Sequence, residues 1–279
     1  MKSLWIRKET NMKKNFIYLI IFALIVITAA EMIGFQSVKL GSFSIGLLPL
    51  VFAIIITMIL GLNLFRKGFW KKVYSKENVD FAGKYLILIM LPLMARYGAD
   101  VAPKIGEILQ VGWVFLFQEI GNLGTVLLGL PVALLLGLRR EAIGATLGIG
   151  REGELAYISE KYTLNSDEGR GVLSLYIIGT LFGTIFFSIF APIMLQMGFR
   201  VEALAMASGM GSGSMMSASS ASLVAQVPDM ESTILAYASA SQLLTSFLGT
   251  FTMVFLAAPL QQFMYKLFVR GDKNAKRVA

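Results

Sequence analysis

The chain has 279 residues, of which 56% are hydrophobic and only 15% are charged. Because soluble domains carry about 25% charged residues, this composition nearly excludes a soluble globular protein. The sequence contains no His and no Cys, which excludes disulfides, Cys or His zinc sites, and Ser-His or Cys-His nucleophile pairs. The formal charge of +8 comes mostly from tails and loops between apolar runs, a pattern typical of membrane proteins rather than of nucleic-acid binding.

Long apolar runs predict an all-α integral membrane protein with about eight transmembrane helices in one polytopic domain, residues 1–279. A transmembrane helix needs roughly 20 mostly apolar residues. Basic tails flank the helices at residues 1–15 and 266–279, and the N-terminal set of helices occupies residues 16–138. The predicted spans are Phe16–Phe35, Phe43–Phe65, Tyr85–Ala102, Leu109–Leu138, Ala142–Tyr162, Val172–Met197, Ala203–Ala225 and Thr233–Tyr265.

The distribution of Lys and Arg predicts the orientation. With both termini in the cytoplasm, 19 of the 25 cations lie on the cytoplasmic side, among them Arg139, Arg140 and Arg200. The acidic turns at Asp167–Glu168 and Asp229–Glu231 then lie outside. This arrangement follows the positive-inside bias and predicts a multi-pass protein of the bacterial inner membrane.

A shift of 61 residues aligns residues 139–197 with residues 200–258. It pairs an Arg-x-Glu-Ala turn in each unit, and it pairs Gly148-x-Gly150 with Gly209-x-Gly211. Each repeat unit has one glycine-broken segment followed by one regular helix. If the broken segments cross the membrane, the two units are parallel. If the segments are re-entrant, the topology changes, and the sequence leaves both arrangements open.

The broken segments contain too many glycines for plain lipid-facing helices. Each Gly weakens a helix by about 1 kcal/mol relative to Ala, and broken backbone at membrane depth is tolerated only inside protein or beside a wet cavity. Secondary transporters build their sites from such segments. We therefore expect substrate contacts here, with an Arg that neutralises a carboxylate, from Gly150, Arg151, Glu152, Gly153, Glu154, Gly211, Ser212, Gly213 and Ser214.

A third polar stretch interrupts the span Leu109–Leu138. Glu119 lies near its centre, where a carboxylate must be paired or protonated. Gln118, Glu119 and Asn122 are therefore predicted to contact substrate, and Glu119, Glu154 and Ser217 to bind the coupling ion. The alternatives are interhelical hydrogen bonds for the polar stretch, close helix packing for the glycines and serines, and a solvated loop for residues 151–154.

The motifs also resemble known families. From Leu109 to Leu260, the Arg-Glu turn, Ile158-Ser159-Glu160-Lys161 and the later glycine-serine segment resemble LrgB/CidB-like membrane proteins. The Gly-Arg-Glu-Gly-Glu stretch with Tyr157, Asp167 and Leu173-Ser174-Leu175 is similar to the bile-acid and 2-keto-3-deoxygluconate permease group. Gly209–Ser222 with Ala236-Tyr237-Ala238-Ser239 is similar to the 2-hydroxycarboxylate symporters. The nearest resemblance is to a permease-like family designated only as a domain of unknown function.

These resemblances imply a carrier of small organic anions coupled to Na⁺ or H⁺. The citrate-type and bile-acid-type relatives imply two five-helix halves of opposite orientation, which eight spans do not supply. The sequence thus predicts a secondary active transporter rather than an enzyme, with the lipid bilayer and a carboxylate-type metabolite as partners. Nucleic acid is not expected as a partner, no cofactor is expected apart from Na⁺, and a homodimer stays open.

Two other functions compete with transport. An LrgB-like protein would regulate murein hydrolases or lysis together with a partner membrane subunit. A membrane enzyme without His or Cys would depend on Glu, Ser, Tyr or Lys, and no paired catalytic constellation of these residues is evident in the sequence.

Overall fold

The computed structural model describes residues 2–40, 43–47, 49–148 and 152–269, and most of them are helical. The chain divides into two compact units, Met1–Arg96 and Tyr97–Ala279.

The first unit contains three described helices, most of a fourth and a strand pair. Aromatic rings pack α1 against the segment around α3, since Phe22 lies 6.0 Å from Trp70 and 5.5 Å from Tyr74 between ring centroids. The Tyr74 hydroxyl donates to the Thr57 carbonyl and so ties the same segment to α2. The elements are α1 (Lys2–Ile33), β1 (Gln36–Leu40), β2 (Phe43–Leu47), α2 (Pro49–Leu60), α3 (Phe69–Val73) and α4 (Lys76–Val101).

The strand pair departs from the predicted all-α class. It is antiparallel and pairs Gln36 with Leu47 and Leu40 with Phe43. The predicted span Phe43–Phe65 is therefore wrong at its start, because its first residues form β2 and helix α2 begins only at Pro49.

The second unit is built from long apolar rods and short broken helices. Three-residue 3₁₀ turns precede α5 and α14, and π-helical turns at Thr125–Gly129, Gly179–Gly183 and Met253–Ala257 join consecutive helices into continuous rods. The helices are α5 (Ile105–Gln110), α6 (Gly112–Gly121), α7 (Leu130–Leu135), α8 (Arg140–Thr146), α9 (Glu152–Tyr162), α10 (Asp167–Ile178), α11 (Thr184–Gln196), α12 (Val201–Ser208), α13 (Gly213–Gln226), α14 (Glu231–Thr252) and α15 (Ala258–Phe268).

Within the described residues, three helices are long and apolar enough to cross a membrane: Lys14–Ile33, Gly112–Leu135 and Pro228–Phe268. Their many exposed Leu, Ile and Phe side chains would be unfavourable in water. The chain is thus membrane-associated.

Both glycine-broken segments are interrupted, as predicted. Helix α8 ends at Thr146 and α9 begins at Glu152, while α12 ends at Ser208 and α13 begins at Gly213. We call α8 with α9 hairpin 1, and α12 with α13 hairpin 2.

In hairpin 2 the second helix returns alongside the first, whereas in hairpin 1 both helices pack against α10 and α9 runs back toward the start of α8. The hydroxyls of Ser208 and Ser219 are 2.7 Å apart across hairpin 2, and Leu204 shares a buried cluster with Leu223. Ile143 and Ile158 likewise share a buried cluster in hairpin 1. Both ends of each hairpin therefore lie at the same end of the second unit.

This geometry corrects two of the predicted spans and part of the orientation. Ala142–Tyr162 and Ala203–Ala225 are hairpins rather than crossing helices. The Arg140 side chain binds Glu168 at 2.8 Å, so Arg140 and the Asp167–Glu168 turn lie at the same end and not on opposite sides. The prediction was wrong because this contact joins residues distant in the sequence.

Candidate functional site

The long rod made of α14 and α15 orders the parts of the site. Ile234 and Tyr237 share a cluster with Leu204, near the base of hairpin 2. Further along, α14 meets the tip of hairpin 2 at Gln242 and the tip of hairpin 1 at Gly249. At 1.5 Å per residue, these last two positions are about 10 Å apart along the helix.

At the far end of the rod, α15 runs along α8 of hairpin 1. The Gln261 amide donates to the carbonyl of Ile143 at 2.8 Å and to the hydroxyl of Thr146 at 3.0 Å, and Tyr265, one turn further on, lies near Arg140 at the base. Along the rod, the contacts therefore follow the order base of hairpin 2, tip of hairpin 2, tip of hairpin 1 and base of hairpin 1. The two hairpins enter from opposite ends and their tips approach each other near the middle of Pro228–Phe268.

The tip of hairpin 1 is closed by a buried acid. Glu154 is only 6% exposed, and its carboxylate lies so close to Gly148 that a Cβ at this position would overlap it. Gly148 is thus required by the close approach of the carboxylate. At Gly153, in the first turn of α9, an added Cβ would be 3.5 Å from the Thr250 hydroxyl, which places this turn beside α14.

The tip of hairpin 2 is held by side-chain hydrogen bonds. In the amide orientation that satisfies its neighbours, Gln242 donates to the carbonyls of Gly209 and Gly211, each at 3.1 Å. Ser212 caps α13 by accepting from the Met215 amide at 3.4 Å. These bonds satisfy backbone groups that the broken helix leaves without intrahelical partners.

The polar stretch of α6 lies beside the same part of α14. Gln118 accepts from the Ser241 hydroxyl at 2.9 Å and donates to the Thr245 hydroxyl at 3.1 Å. Its amide is therefore used between helices, as in the alternative interpretation of this residue. One turn later, the Asn122 amide donates to Oε2 of Glu119 at 2.9 Å.

Glu119 has one carboxylate oxygen without a hydrogen-bond partner. The side chain is 6% exposed, and Oε1 receives no hydrogen bond. Leaving a buried acceptor unsatisfied costs about 1–3 kcal/mol, and more when the group is charged. Such a residue is unfavourable for folding alone and is a marker of function inside a membrane.

A small cavity lies where the polar stretch, the tip of hairpin 1 and α14 meet. Its volume of about 20 Å³ leaves room for little more than one water molecule or one bare ion. The π-helical turn Thr125–Gly129 begins three residues after the wall residue Asn122, and the π-helical turn Met253–Ala257 contributes its first and last residues to the wall. The wall consists of Asn122, Leu147, Gly148, Glu154, Thr245, Gly249, Thr252, Met253 and Ala257.

The base of hairpin 1 is fixed by an ion pair and by glycine contacts. Nε and Nη2 of Arg140 donate to the two Glu168 oxygens at 2.8 and 3.0 Å, and the Glu168 side chain is fully buried. Hydrogen bonding to Glu168 raises the pKa of the Arg140 guanidinium above its ordinary value. Gly144 and Gly171 allow α8 and α10 to touch backbone to backbone, since a Cβ at either would overlap the other helix.

A family model described as a protein of unknown function, DUF3100, matches residues 28–267. The chain belongs to the DUF3100 family. No curated protein and no solved structure matches the chain. The matched region contains α6, α14 and both hairpins, so the polar centre lies within the part that defines the family. The resemblances to LrgB/CidB-like proteins and to carboxylate symporters stay predictions.

The structure brings together some of the predicted site residues. Glu119, Asn122 and Glu154 lie at or beside the cavity, while Gly211, Ser212, Gly213 and Ser214 form the tip of hairpin 2. The Ser217 hydroxyl donates to the Gly213 carbonyl of its own helix at 2.8 Å, and its predicted ion-binding role stays untested. Gly150 and Arg151 lie outside the described residues, and Glu152 is described only as the first residue of α9.

Sequence reasoning missed the polar face of α14. Ser241, Gln242, Thr245 and Thr252 supply most of the contacts to the hairpin tips and to α6. The signal was present in the sequence, because polar or small residues recur at helical spacing from Ser241 through Thr245 and Gly249 to Thr252.

A second cavity is a poor candidate for an anion site. It is an apolar groove of about 280 Å³ between α11 and hairpin 2. Its serines, Ser208 and Ser219, hydrogen-bond to each other. The groove walls offer mainly hydrocarbon, as at Phe187, Phe190, Ala191, Met194, Phe199, Ala203 and Leu204.

Proposed function

We infer that the chain is a secondary active transporter of a small organic anion, coupled to Na⁺ or H⁺. The observation that carries this proposal is that the tips of two oppositely directed hairpins contact α14 about 10 Å apart, close to the buried acids Glu119 and Glu154. In a bilayer, this centre would lie near the midplane, because it is close to the middle of both Gly112–Leu135 and Pro228–Phe268. Transporter sites are typically located there.

The repeat units support alternating access. We infer that each repeat unit combines a hairpin that does not cross with one rod that does, α10 with α11 in the first repeat and α14 in the second, so that the two repeats have opposite orientations. Inverted repeats of this kind can exchange conformations, which opens a central site first to one side and then to the other. Neither a channel nor a membrane anchor requires two hairpins whose tips point toward each other from opposite ends.

The site also has features suited to an anion. Helices α9 and α13 begin at the tips, so their partially positive N-terminal ends face the centre. Arg151 immediately precedes α9 in the sequence, and its guanidinium fits a carboxylate in a bidentate manner. The proposed substrate is therefore a small carboxylate.

Charge gives the proposed orientation of the second unit. Among the described residues, the end with the base of hairpin 1 carries Arg139, Arg140, Lys161, Arg170 and Lys266, and the sequence after Val269 adds four more cations. The opposite end carries Lys104 and Arg200. The first end is therefore cytoplasmic, together with the C-terminus. From the five cations before Phe16 we propose a cytoplasmic N-terminus as well, in a bacterial inner membrane.

An uptake assay tests the proposal. Purified protein in proteoliposomes is offered a panel of radiolabelled organic acids under an imposed Na⁺ or pH gradient. We expect gradient-driven uptake of at least one acid, lowered at least tenfold in Arg151→Ala, which removes the predicted carboxylate partner, and in Glu119→Gln, which removes a buried acid. Arg170→Ala, at an exposed position, is the matched control and should transport like the wild type. Uptake of no acid, or equal uptake by all variants, would contradict the proposal.

A further inference from the structure

We propose that residues 61–76 of the first unit bind the headgroups of anionic phospholipids at the membrane surface. This inference goes beyond the proposed function and does not depend on it, because it concerns a surface of the first unit and not the polar centre of the second. We call residues 61–76 the basic segment. It follows α2, contains α3 and ends at the first residue of α4.

The first argument is charge. The basic segment contains five cations and no acid, and all five side chains are exposed. Among the described residues, none of the five forms an ion pair, and the first acids that follow, Glu77 and Asp80 on α4, do not bind them. A cluster of about four to eight cations next to an apolar helix attracts anionic lipid headgroups. The five cations are Arg66, Lys67, Lys71, Lys72 and Lys76.

The second argument is position. The Lys72 ammonium lies 5.9 Å from the centre of the Tyr18 ring, and the ring centroids of Phe69 and Tyr18 are 5.8 Å apart. Tyr18 lies four residues, about 6 Å, after the start of the candidate span Lys14–Ile33. In a bilayer, the basic segment would therefore lie where this helix enters the membrane, at the level of the headgroups. Aromatic side chains such as that of Trp70 are enriched at that level.

The third argument is the way in which Arg66 is held. Its Nε donates to the Gly61 carbonyl at 2.7 Å, and its Cζ lies 5.6 Å from the centre of the Tyr74 ring. The Tyr74 hydroxyl is itself bound to the Thr57 carbonyl of α2. The N–H groups on Nη1 and Nη2 of Arg66 remain for a ligand. A guanidinium fixed in this way fits a phosphate in a bidentate manner and loses less freedom than a mobile side chain would.

The fourth argument favours a lipid over a free anion. Three of the four residues before Arg66 are large, apolar and exposed, and Leu64 is exposed to 72%. Apolar side chains beside cations insert at the boundary between headgroups and acyl chains, and a free phosphate ion would gain nothing from them. The three residues are Leu62, Leu64 and Phe65.

Quenching of Trp70 fluorescence by brominated lipids tests the proposal. The full-length protein carries Trp5→Phe and Trp113→Phe, so that Trp70 is its only tryptophan, and is placed in phosphatidylcholine vesicles. Brominated phosphatidylglycerol then replaces a small fraction of the lipid, and brominated phosphatidylcholine replaces the same fraction in a parallel series. We expect the apparent association constant at Trp70 to be at least about fivefold higher for the anionic lipid, which is the attraction that one basic residue provides near an anionic surface. NaCl should weaken this preference by screening.

Variants of the basic segment should lose the preference. Arg66→Gln, and separately the double variant Lys71→Gln with Lys72→Gln, should each lower it at least twofold. Lys266→Gln is the matched control for Arg66→Gln, because it removes one exposed cation from the second unit, and it should behave like the wild type. Quenching by brominated phosphatidylcholine should be the same in all variants, which shows that the basic segment keeps its position.

Four results would overturn the assignment to anionic lipid. The first is equal quenching of the wild type by the two brominated lipids, and the second is an unchanged preference in both Arg66→Gln and the lysine double variant. The third is an equal loss in Lys266→Gln, which would assign the preference to the net charge of the molecule. The fourth is a preference abolished by inorganic phosphate but not by NaCl at the same ionic strength, which would assign the basic segment to a free anion.

Discussion

The ion pair between Arg140 and Glu168 shows how one contact can decide a topology. Glu168 is fully buried, and both its oxygens accept from the guanidinium. A carboxylate taken out of water is tolerated when its hydrogen bonds are satisfied in this way. The pair fixes the start of α8 against the start of α10, and so fixes hairpin 1 as a segment that returns.

Removing one partner of this pair should destabilise the protein more than removing both. Arg140→Leu leaves a buried, unpaired carboxylate and should cost about 3 kcal/mol, near the lower end for buried pairs because Arg140 itself is one-third exposed. The double variant Arg140→Leu with Glu168→Leu should recover most of that loss. Thermal unfolding in detergent measures both effects.

Arg139→Ala supplies the control for that cycle, because Arg139 is exposed at the neighbouring position. Its effect should be within about 0.5 kcal/mol of the wild type. Simple additivity of the Arg140 and Glu168 substitutions would argue against a coupled pair and against the placement of hairpin 1.

At the scale of elements, the two hairpins are similar in outline but their tips are held differently. Gln242 binds the carbonyls of Gly209 and Gly211 in hairpin 2. The repeat places Leu181 at the position equivalent to Gln242, and a leucine has no amide to offer hairpin 1. The tip of hairpin 1 is closed by Glu154 instead. In the proposed transporter, opening of the two hairpin tips would therefore break different contacts at each tip.

Gln242→Leu should loosen hairpin 2 and leave hairpin 1 unchanged. The loss of two buried hydrogen bonds predicts amide hydrogen exchange about tenfold faster in residues 205–216, because local opening costs less free energy. Residues 143–158 serve as the internal reference, and Gln110→Leu at an exposed position serves as the control variant. Equal acceleration in both hairpins, or none in either, would contradict the assigned role of Gln242.

The sequence predicts features that depend on local chemistry. The helix breaks follow from glycine-rich stretches, and the burial of Glu119 follows from its place within a long apolar run. Re-entrance does not follow, because it depends on contacts such as Arg140 with Glu168 and Ser208 with Ser219. A hairpin and a crossing helix of the same length have the same hydropathy. Hydropathy therefore could not distinguish the two hairpins from single spans.

At the scale of the whole molecule, the account depends on the direction in which each hairpin enters. Two hairpins from opposite ends of the second unit convert a weak sequence repeat into an inverted pair, which is the symmetry that alternating access requires. The charge pattern agrees with this arrangement, because Lys161 and Arg170 join Arg139 and Arg140 at one end. Arg200 lies at the opposite end of the second unit, whereas the orientation predicted from the sequence put it on the same side as Arg139 and Arg140.

Site-directed cysteine labelling tests this topology most directly, and the chain contains no native cysteine that would interfere. Single cysteines at the exposed positions Leu138, Asn165 and Asp229 are challenged with a membrane-impermeant maleimide in intact cells and in inverted vesicles. We predict that Leu138→Cys and Asn165→Cys are labelled only in inverted vesicles, and Asp229→Cys only in intact cells. Labelling of Leu138→Cys and Asn165→Cys from opposite sides would mean that hairpin 1 crosses the membrane, and it would contradict the inverted repeat.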